Sequence, residues 1–395
     1  MRTEVVLFTR DLRMHDNPAL AAAVSAAERI VPLFVLDPAI EAPPNRRRFL
    51  MEALSDLQLS LRSRGGDLLV RQGDPVAETV RVALEFGATA VSVSEDYSAY
   101  AVARQERLRR ECTRNRLALR TFPGVSVVPP GALLPSTGAD HYKIFTPYWR
   151  AWQSRPWRAI EAPPARIVTP ELRADPIRLP KPSPRWTGGE TQALQRMRSW
   201  LPGAQGYADG HDDLPGDRTS RLSPYLHFGC LSALTLATSG VPEAFLRQLC
   251  WRDFYLQVLA GFPRLTRHAY RSGAVEEWAE DDGLLRRWRD GETGVSIVDA
   301  GMRQLLEEGW MHNRARLIAA SHLTKTLRLD WRAGAEWFDR LLVDADVASN
   351  YGNWQWVAGT GTDTRPYRTF NPIRQAQRFD PDGAYVERFA PPREA

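Results

Sequence analysis

Cysteine is scarce in this sequence. Cys112, Cys230 and Cys250 are the only three, far apart and without a CxxC pair. That excludes a zinc knuckle built on paired cysteines and a disulfide framework, and it points to a reducing compartment. Lysine is equally rare, with Lys143, Lys181 and Lys325 the only three among 52 basic residues. No run of about 18 apolar residues occurs, so no stretch reads as a membrane span. The amino terminus, "MRTEVVLFTRDLRMHDNP", goes straight into a strand-like pattern and lacks the charged, apolar and small-residue order of a signal peptide. A cytoplasmic protein without a membrane partner is the expectation. No GxGxxG follows the first strand-like run, which removes the usual dinucleotide fingerprint.

Arginine is what the chain has in quantity. The net charge is +5 and the pI about 9.2. A planar guanidinium can grip two phosphate oxygens at once, so this balance leans toward nucleic acid. Biased codon usage gives the same composition, and charge alone does not separate the two. At 395 residues and 44.6 kDa the chain exceeds one ordinary core, and two domains are expected.

Residues 1–128 alternate short apolar runs, "EVVLFT", "IVPLFVLD", "DLLVRQG", "AVSVSE" and "LALRTF", with Ala-, Leu- and Arg-rich segments of helical spacing such as "NPALAAAVSAAERI". This predicts an α/β domain with a doubly wound parallel sheet, and a nucleotide-like ligand would sit at the carboxyl ends of its strands. Twelve of the 29 prolines fall between Pro129 and Pro184. Residues 129–190 therefore read as an extended interdomain linker, with one short helix in "IFTPYWRAW". From 191 to 395 the strand patterns stop and helical periods dominate, so the second domain is expected to be all-α. Eight of the thirteen tryptophans lie between Trp251 and Trp356. A helical core filled with indoles accounts for any one of them; eight beside paired polar residues ask for more.

Four polar constellations stand out in this helical part. In "QLCWRDFY", Gln248, Trp251 and Arg252 share one helical face. An amide, an indole and a guanidinium suit a nucleic-acid surface better than a core, although an ordinary amphipathic helix also has a polar side. In "GWMHNRARLIAAS", Asn313, Arg316 and Leu317 fall together, and a buried Arg316 would need an acid, for which Asp344 and Asp346 are the candidates. His312 beside them reads most simply as a hydrogen-bonded structural residue. The segment "DADVASNYGNWQW" then places Asp346, Asn350 and Trp354 on one face of a helix with Trp356 turned elsewhere. A DxD metal site and a capped helix with a Trp core compete for this segment. "TSRLSPYLHFG", from Thr219, offers hydroxyls, an arginine and amides at a turn entering a helix, which is an anion cradle or simply a cap.

These segments resemble the photolyase and cryptochrome family, most closely its class I cyclobutane pyrimidine dimer photolyases. The ordered motifs are "LFTRDLRMHDNPAL", "TSRLSPYLHFG", "WRDFY", "TGVSIVDAGMRQLLEEGWMHNRAR", "DWRAG" and "NWQWVAGTGTDTRPYRTFNP", and they cover nearly the whole chain. The resemblance implies an α/β domain holding an antenna chromophore, deazaflavin or methenyltetrahydrofolate, and a helical domain holding FAD. It implies a monomer that uses light to split pyrimidine dimers in damaged DNA, by electron transfer from reduced FAD to a flipped-out lesion. Tyr207, Thr219, Ser220, Arg221, Leu222, Ser223, Phe245, Arg316, Asp344, Ala345 and Asp346 are implied cofactor contacts, with Asp344 pairing Arg316 and Asn350 facing the flavin. Trp354, Trp331 and Trp278 match an electron-transfer triad. Gln248, Trp251, Arg252, Asn313, Arg314, Trp356 and Gln375 match lesion or DNA contacts. No metal is implied.

Departures bear on these implications. Gln248 stands where many dimer photolyases have Glu, Leu317 replaces a common methionine, and relatives usually continue further beyond "GAYVERFAPPREA". Two rivals share the fold. A (6-4) photolyase carries His where this chain has Asn313, and a signalling cryptochrome often carries a long carboxyl tail.

Overall fold

The structure, a computed structural model, describes residues 1–174, 177–179, 181, 185–362 and 368–390. The "DTRPY" of the last motif, residues 363–367, and six positions of the Pro-rich connection lie outside the described residues. The chain forms two units. The first takes Met1–Pro129, Pro156–Leu201 and Leu222–Val241; the second takes Pro130–Arg155, Pro202–Arg221 and Pro242–Ala395. Both are discontinuous in sequence, whereas the compositional division at 128 and 190 is continuous; we retain that division as a proposal about domain boundaries.

In the first unit the alternating runs become β1 (Thr3–Phe8), α1 (Pro18–Ala26), β2 (Arg29–Leu36), α2 (Pro44–Arg62), β3 (Leu69–Gln72), α3 (Pro75–Glu85), β4 (Ala88–Ser94), α4 (Ala99–Arg114) and β5 (Ala118–Phe122). All pairings are parallel, in the order β3-β2-β1-β4-β5. Central β1 is buried at all six positions, as a strand covered on both faces must be, and its Val5 sits opposite Val31 on one side and Val91 on the other. Local chemistry starts the helices. Asn17, Asp74 and Ser98 cap α1, α3 and α4 with their side chains, and Pro opens α1, α2 and α3, where its missing N–H costs no hydrogen bond. The winding reverses between β1 and β4, and just beyond their carboxyl ends Arg10 pairs with Asp96 at 3.3 Å and donates to the His227 carbonyl at 3.1 Å. Close backbone packing there demands glycine at 229: φ is +69°, and a Cβ would lie 1.9 Å from the Arg10 carbonyl oxygen.

The second unit is helical, with an isolated bridge between Ala279 and Leu329 as the only strand-type pairing among its described residues. The short helix expected in the proline-rich stretch is Phe145–Ser154. "AFLRQLCWRDFYLQVLAGF" lies in the helix Glu243–Gly261, "VSIVDAGMRQLLEEG" in Ser296–Glu308, and "NRARLIAASHLTKTL" in Asn313–Ser321 followed by a π-helical turn, His322–Thr326. The core of this unit is built around Trp288, Trp331, Trp354, Phe338 and Met302. Indole packing is therefore structural in part, and Trp288 also donates to the Ala319 carbonyl at 3.0 Å.

Two glycines set how closely the helices meet. A Cβ at Gly334, in the helix Trp331–Leu341, would lie 2.3 Å from the Trp354 ring; one at Gly352, in Val347–Ala358, would lie 2.2 Å from the Tyr255 ring. Glycine is a poor helix former, so its presence mid-helix at 352 marks a packing requirement. Gly352→Ala gains about 1 kcal/mol of helix propensity, while overpacking against buried Tyr255 costs about 1–3 kcal/mol. The expected outcome is a net lowering of the thermal midpoint by a few degrees, measured by circular dichroism.

Candidate functional site

Most of the polar residues singled out from the sequence lie in the second unit, chiefly on three helices and one loop. The helix Glu243–Gly261 buries Phe245, Leu249 and Phe254, leaves Gln248 exposed, and half-buries Trp251 and Arg252. Trp251 lies flat on Phe145, with ring centroids 3.6 Å apart and planes within 3°. One indole face is thus fixed by protein, and Arg247 covers Phe145 and Trp149 at 5.5 and 5.1 Å. Sequence reasoning misses Phe145, whose one signal is the aromatic density of "IFTPYW".

The helix Asn313–Ser321 carries Asn313, exposed, and Arg314, Arg316 and Leu317, half-buried. His312 caps it: Nδ1 accepts the Arg314 N–H at 3.2 Å. Burial pushes its pKa down to about 4, so at neutral pH the ring is neutral with its proton on Nε2, the only tautomer that can cap. Histidine is not a usual N-cap, so the sequence does not reveal this role. Arg314 is bound to Asp212 through Nε and Nη2, stacks over Phe379 at 4.3 Å and reaches Gln375 Oε1 at 3.5 Å. The structure thus brings Arg314 and Gln375 together, with a carboxylate already on the guanidinium.

The acid that Arg316 needs is Asp344. One guanidinium nitrogen reaches both carboxylate oxygens, at 2.9 and 3.0 Å, and Nε donates to the Met311 carbonyl at 2.9 Å. The Asp344 side chain is 2% exposed, so removing Arg316 would strand a buried carboxylate at a cost of about 3–5 kcal/mol. Ala345 is buried beside it. Treating Asp346, Asn350 and Trp354 as three rungs of one helical face needs a correction. Asp346 stands before the helix Val347–Ala358 as its N-cap, with Oδ1 accepting from the Ser349 N–H at 2.8 Å, because a short carboxylate satisfies an orphan helix donor best from that position. Asn350 donates one amide hydrogen to the Ala335 carbonyl at 2.9 Å, and its second N–H is left for another acceptor. Gln355, wholly buried between the two tryptophans, bonds the Leu265 and His268 carbonyls and the Tyr270 N–H, and so ties down the loop ahead of Trp278.

The loop Thr219–Arg221 belongs to this unit, while Leu222 and Ser223 count with the first unit and open the helix Ser223–Phe228 there without a side-chain cap. Thr219 Oγ1 donates to Asp217 at 2.9 Å. Arg221 bonds Asp217, reaches Glu308 at 3.3 Å and lies 4.3 Å over the Trp310 ring. Its φ of +50° is left-handed, as is that of Asp217 at +42°. Tyr207 stacks on His211 at 5.0 Å and meets Phe245 edge-on at 5.1 Å, and burial pushes its hydroxyl pKa up. Glu308 and Trp310 are missed by sequence reasoning.

Trp354 is buried under Gly334, 5.0 Å from Phe338 and 6.0 Å from Trp288. Trp331 opens the helix that carries Gly334, and Arg332 lies 4.6 Å over the Trp331 ring. Arg332 also pairs with Glu276, and the Ala279 N–H donates to the Arg328 carbonyl at 2.8 Å, so the segment of Trp278 is clamped to the one leading into Trp331. Trp356 is half-buried with Arg368 at 5.0 Å over its ring. Among the described residues no group of three or more His, Cys, Asp or Glu could hold a metal ion. The two acids of the DxD reading are occupied by Arg316 and the helix cap.

Residues 4–166 match the sequence profile for DNA photolyase, and residues 245–394 match that for the FAD binding domain of DNA photolyase. The chain is 46% identical to the deoxyribodipyrimidine photo-lyase of Streptomyces griseus, over 99% of this chain and 90% of that protein. A bacterial class III photolyase from Agrobacterium tumefaciens superimposes with a TM-score of 0.92 at 35% identity, over 99% of this chain and 87% of that one. An archaeal photolyase from Sulfolobus tokodaii, solved with two FAD molecules, gives 0.88 at 29% identity, over 98% and 90%. Matched along almost its entire length in sequence and in fold, this chain belongs to the photolyase and cryptochrome family.

Proposed function

We propose that this chain is a deoxyribodipyrimidine photo-lyase that binds FAD in its helical unit and splits cyclobutane pyrimidine dimers in damaged DNA under light. The observation that supports this reading most is the segment Asp344–Trp356. It presents a buried carboxylate paired to Arg316, a carboxamide with a spare N–H, one buried indole and one half-buried indole within a few turns. This donor set fits a flavin better than a metal: the carboxylates are neutralised or capping, and the amide can meet a ring nitrogen or carbonyl. Tyr207 and Phe245 supply an aromatic wall, and Thr219, Ser220, Arg221, Leu222 and Ser223 would hold the diphosphate end. When bound and reduced, FAD supplies the electron that light drives onto the dimer and recovers it, so the reaction has no net redox change.

The protein's own residues bind and orient. Trp251, backed by Phe145, and Trp356 would flank a base turned out of the duplex. Photolyases are among the standing examples of base extrusion, which costs about a few kcal/mol and least at damaged pairs. Stacking returns about 1–3 kcal/mol per base, enough to offset much of it. Gln248 would donate an amide hydrogen to a thymine carbonyl, Asn313 and Arg252 would contact the lesion strand, and Arg314 with Gln375 would meet the DNA backbone. Trp278, Trp331 and Trp354 would relay an electron inward from the surface.

Asn313 favours dimer repair over (6-4) repair, and the fold alone does not separate a repair enzyme from a cryptochrome. The motifs lean toward class I, while a class III enzyme is among the similar structures, so the proposal is made at the level of dimer repair. A second chromophore, deazaflavin or methenyltetrahydrofolate, is proposed in the first unit, toward the carboxyl ends of its strands. A monomer in the cytoplasm completes the reading; no described helix is long and apolar enough to cross a membrane.

Purified protein is expected to show flavin absorption, and a colourless preparation that cannot be reconstituted with FAD removes the cofactor. Blue light is expected to restore intact thymines in a dimer-bearing oligonucleotide, read by chromatography; flavin photoreduction without repair would instead identify a cryptochrome. Trp251→Ala is expected to weaken binding of that oligonucleotide by roughly ten- to a hundredfold, the loss of one stacked base, while flavin content is retained.

A further inference from the structure

Arg221 sits in the loop that the proposed function assigns to the cofactor diphosphate, and the obvious expectation is that its charge grips phosphate. The geometry argues otherwise. Nε and Nη2 both go to Asp217, Nη1 faces Glu308 at 3.3 Å, and the flat face of the guanidinium covers Trp310 at 4.3 Å. One cation is thus held by two carboxylates, which would repel an incoming phosphate. Glu308 is itself fixed: its side chain is 6% exposed, Gln304 Nε2 reaches it at 3.4 Å and Arg388 at 3.5 Å. Gln304 is in turn bonded by the Tyr385 hydroxyl at 2.8 Å and the His312 N–H at 3.1 Å. A framework this elaborate is more than a lone side chain needs.

The backbone supplies the reason. At φ +50° Arg221 occupies the left-handed region that disfavours any residue with a Cβ, and such a conformation persists only when its surroundings over-determine it. Asp217, four residues earlier, is also left-handed and uses one carboxylate to hold both Thr219 and Arg221. We propose that Arg221 serves the cofactor through its left-handed backbone, which shapes the cradle, and that Asp217, Glu308 and Trp310 are positioning residues that hold this turn by taking up the guanidinium. The inference rests on the FAD reading of the site.

Glycine adopts φ +50° without penalty, whereas alanine keeps the penalty and loses the anchors, so the two substitutions separate shape from charge. Full-length protein would be stripped of flavin, and FAD rebinding followed by fluorescence over a range of salt concentrations, with thermal melts of each apoprotein alongside. Arg221→Gly is expected to rebind FAD within about threefold of the parent and with the same salt dependence, while Arg221→Ala is weaker by on the order of tenfold. Glu308→Gln is expected to weaken FAD binding in the parent and to have no effect in the Arg221→Gly background. The proposal is overturned if glycine and alanine weaken binding equally with a flattened salt dependence, if both match the parent, or if Glu308→Gln acts alike in the two backgrounds. A parent protein that binds no FAD at any salt concentration overturns the functional reading itself and this proposal with it.

Discussion

The ion pair between Arg316 and Asp344 joins the two helices on which the rest of the site depends. A half-buried guanidinium in the first turns of Asn313–Ser321 meets a carboxylate just before Val347–Ala358 that is withdrawn from water and not tolerable alone. Satisfying one charge with the other fixes the spacing between the helices. Asn313, Arg314 and Leu317 are then set on one side, and Asn350, Trp354 and Trp356 on the other. The Met311 carbonyl, which takes the Arg316 Nε–H, extends the same constraint back to the turn that His312 caps.

A second constraint is steric. Gly334 and Gly352 let aromatic rings press against helix backbone where any larger residue would push them apart. Electrostatics and close packing thus act on the same helix from different sides. Buried Gln355 adds a third restraint by taking up backbone groups of the loop at 265–270. The polar side chains of Asp344, Asp346, Asn350 and Gln355 each have a partner outside or at the end of the helix, which holds the segment in place.

How much of this is legible in the sequence depends on range. The five strands can be read because each is a short apolar run bounded by turn residues, and three helix starts follow from Asn17, Asp74 and Ser98, whose caps are local. The partner of Arg316 follows from the cost of a buried charge, which leaves two acids to choose between. The distant partners of Arg221 do not follow, since Glu308 and Trp310 lie far along the chain and no spacing rule connects them. Phe145 beneath Trp251 is hidden for the same reason. His312 reads as structural but not as a cap, because a histidine caps only when a neutral ring turns Nδ1 to the helix N–H, and that orientation is a property of the fold. Spacing alone sets Asp346 one step too far into its helix for a simpler cause: capping residues share the spacing of the turns that follow them.

The glycine at 352 has a bearing on how this protein can change over time. With Tyr255 pressed against it, the helix Val347–Ala358 has a single allowed rotation about its own axis. Gain or loss of one residue inside it would turn every later side chain by about 100°, carrying Trp354 and Trp356 away from their present surroundings or bringing a bulkier residue against the tyrosine. Substitution at a position whose neighbours tolerate it leaves this register intact, whereas a change in the number of residues does not.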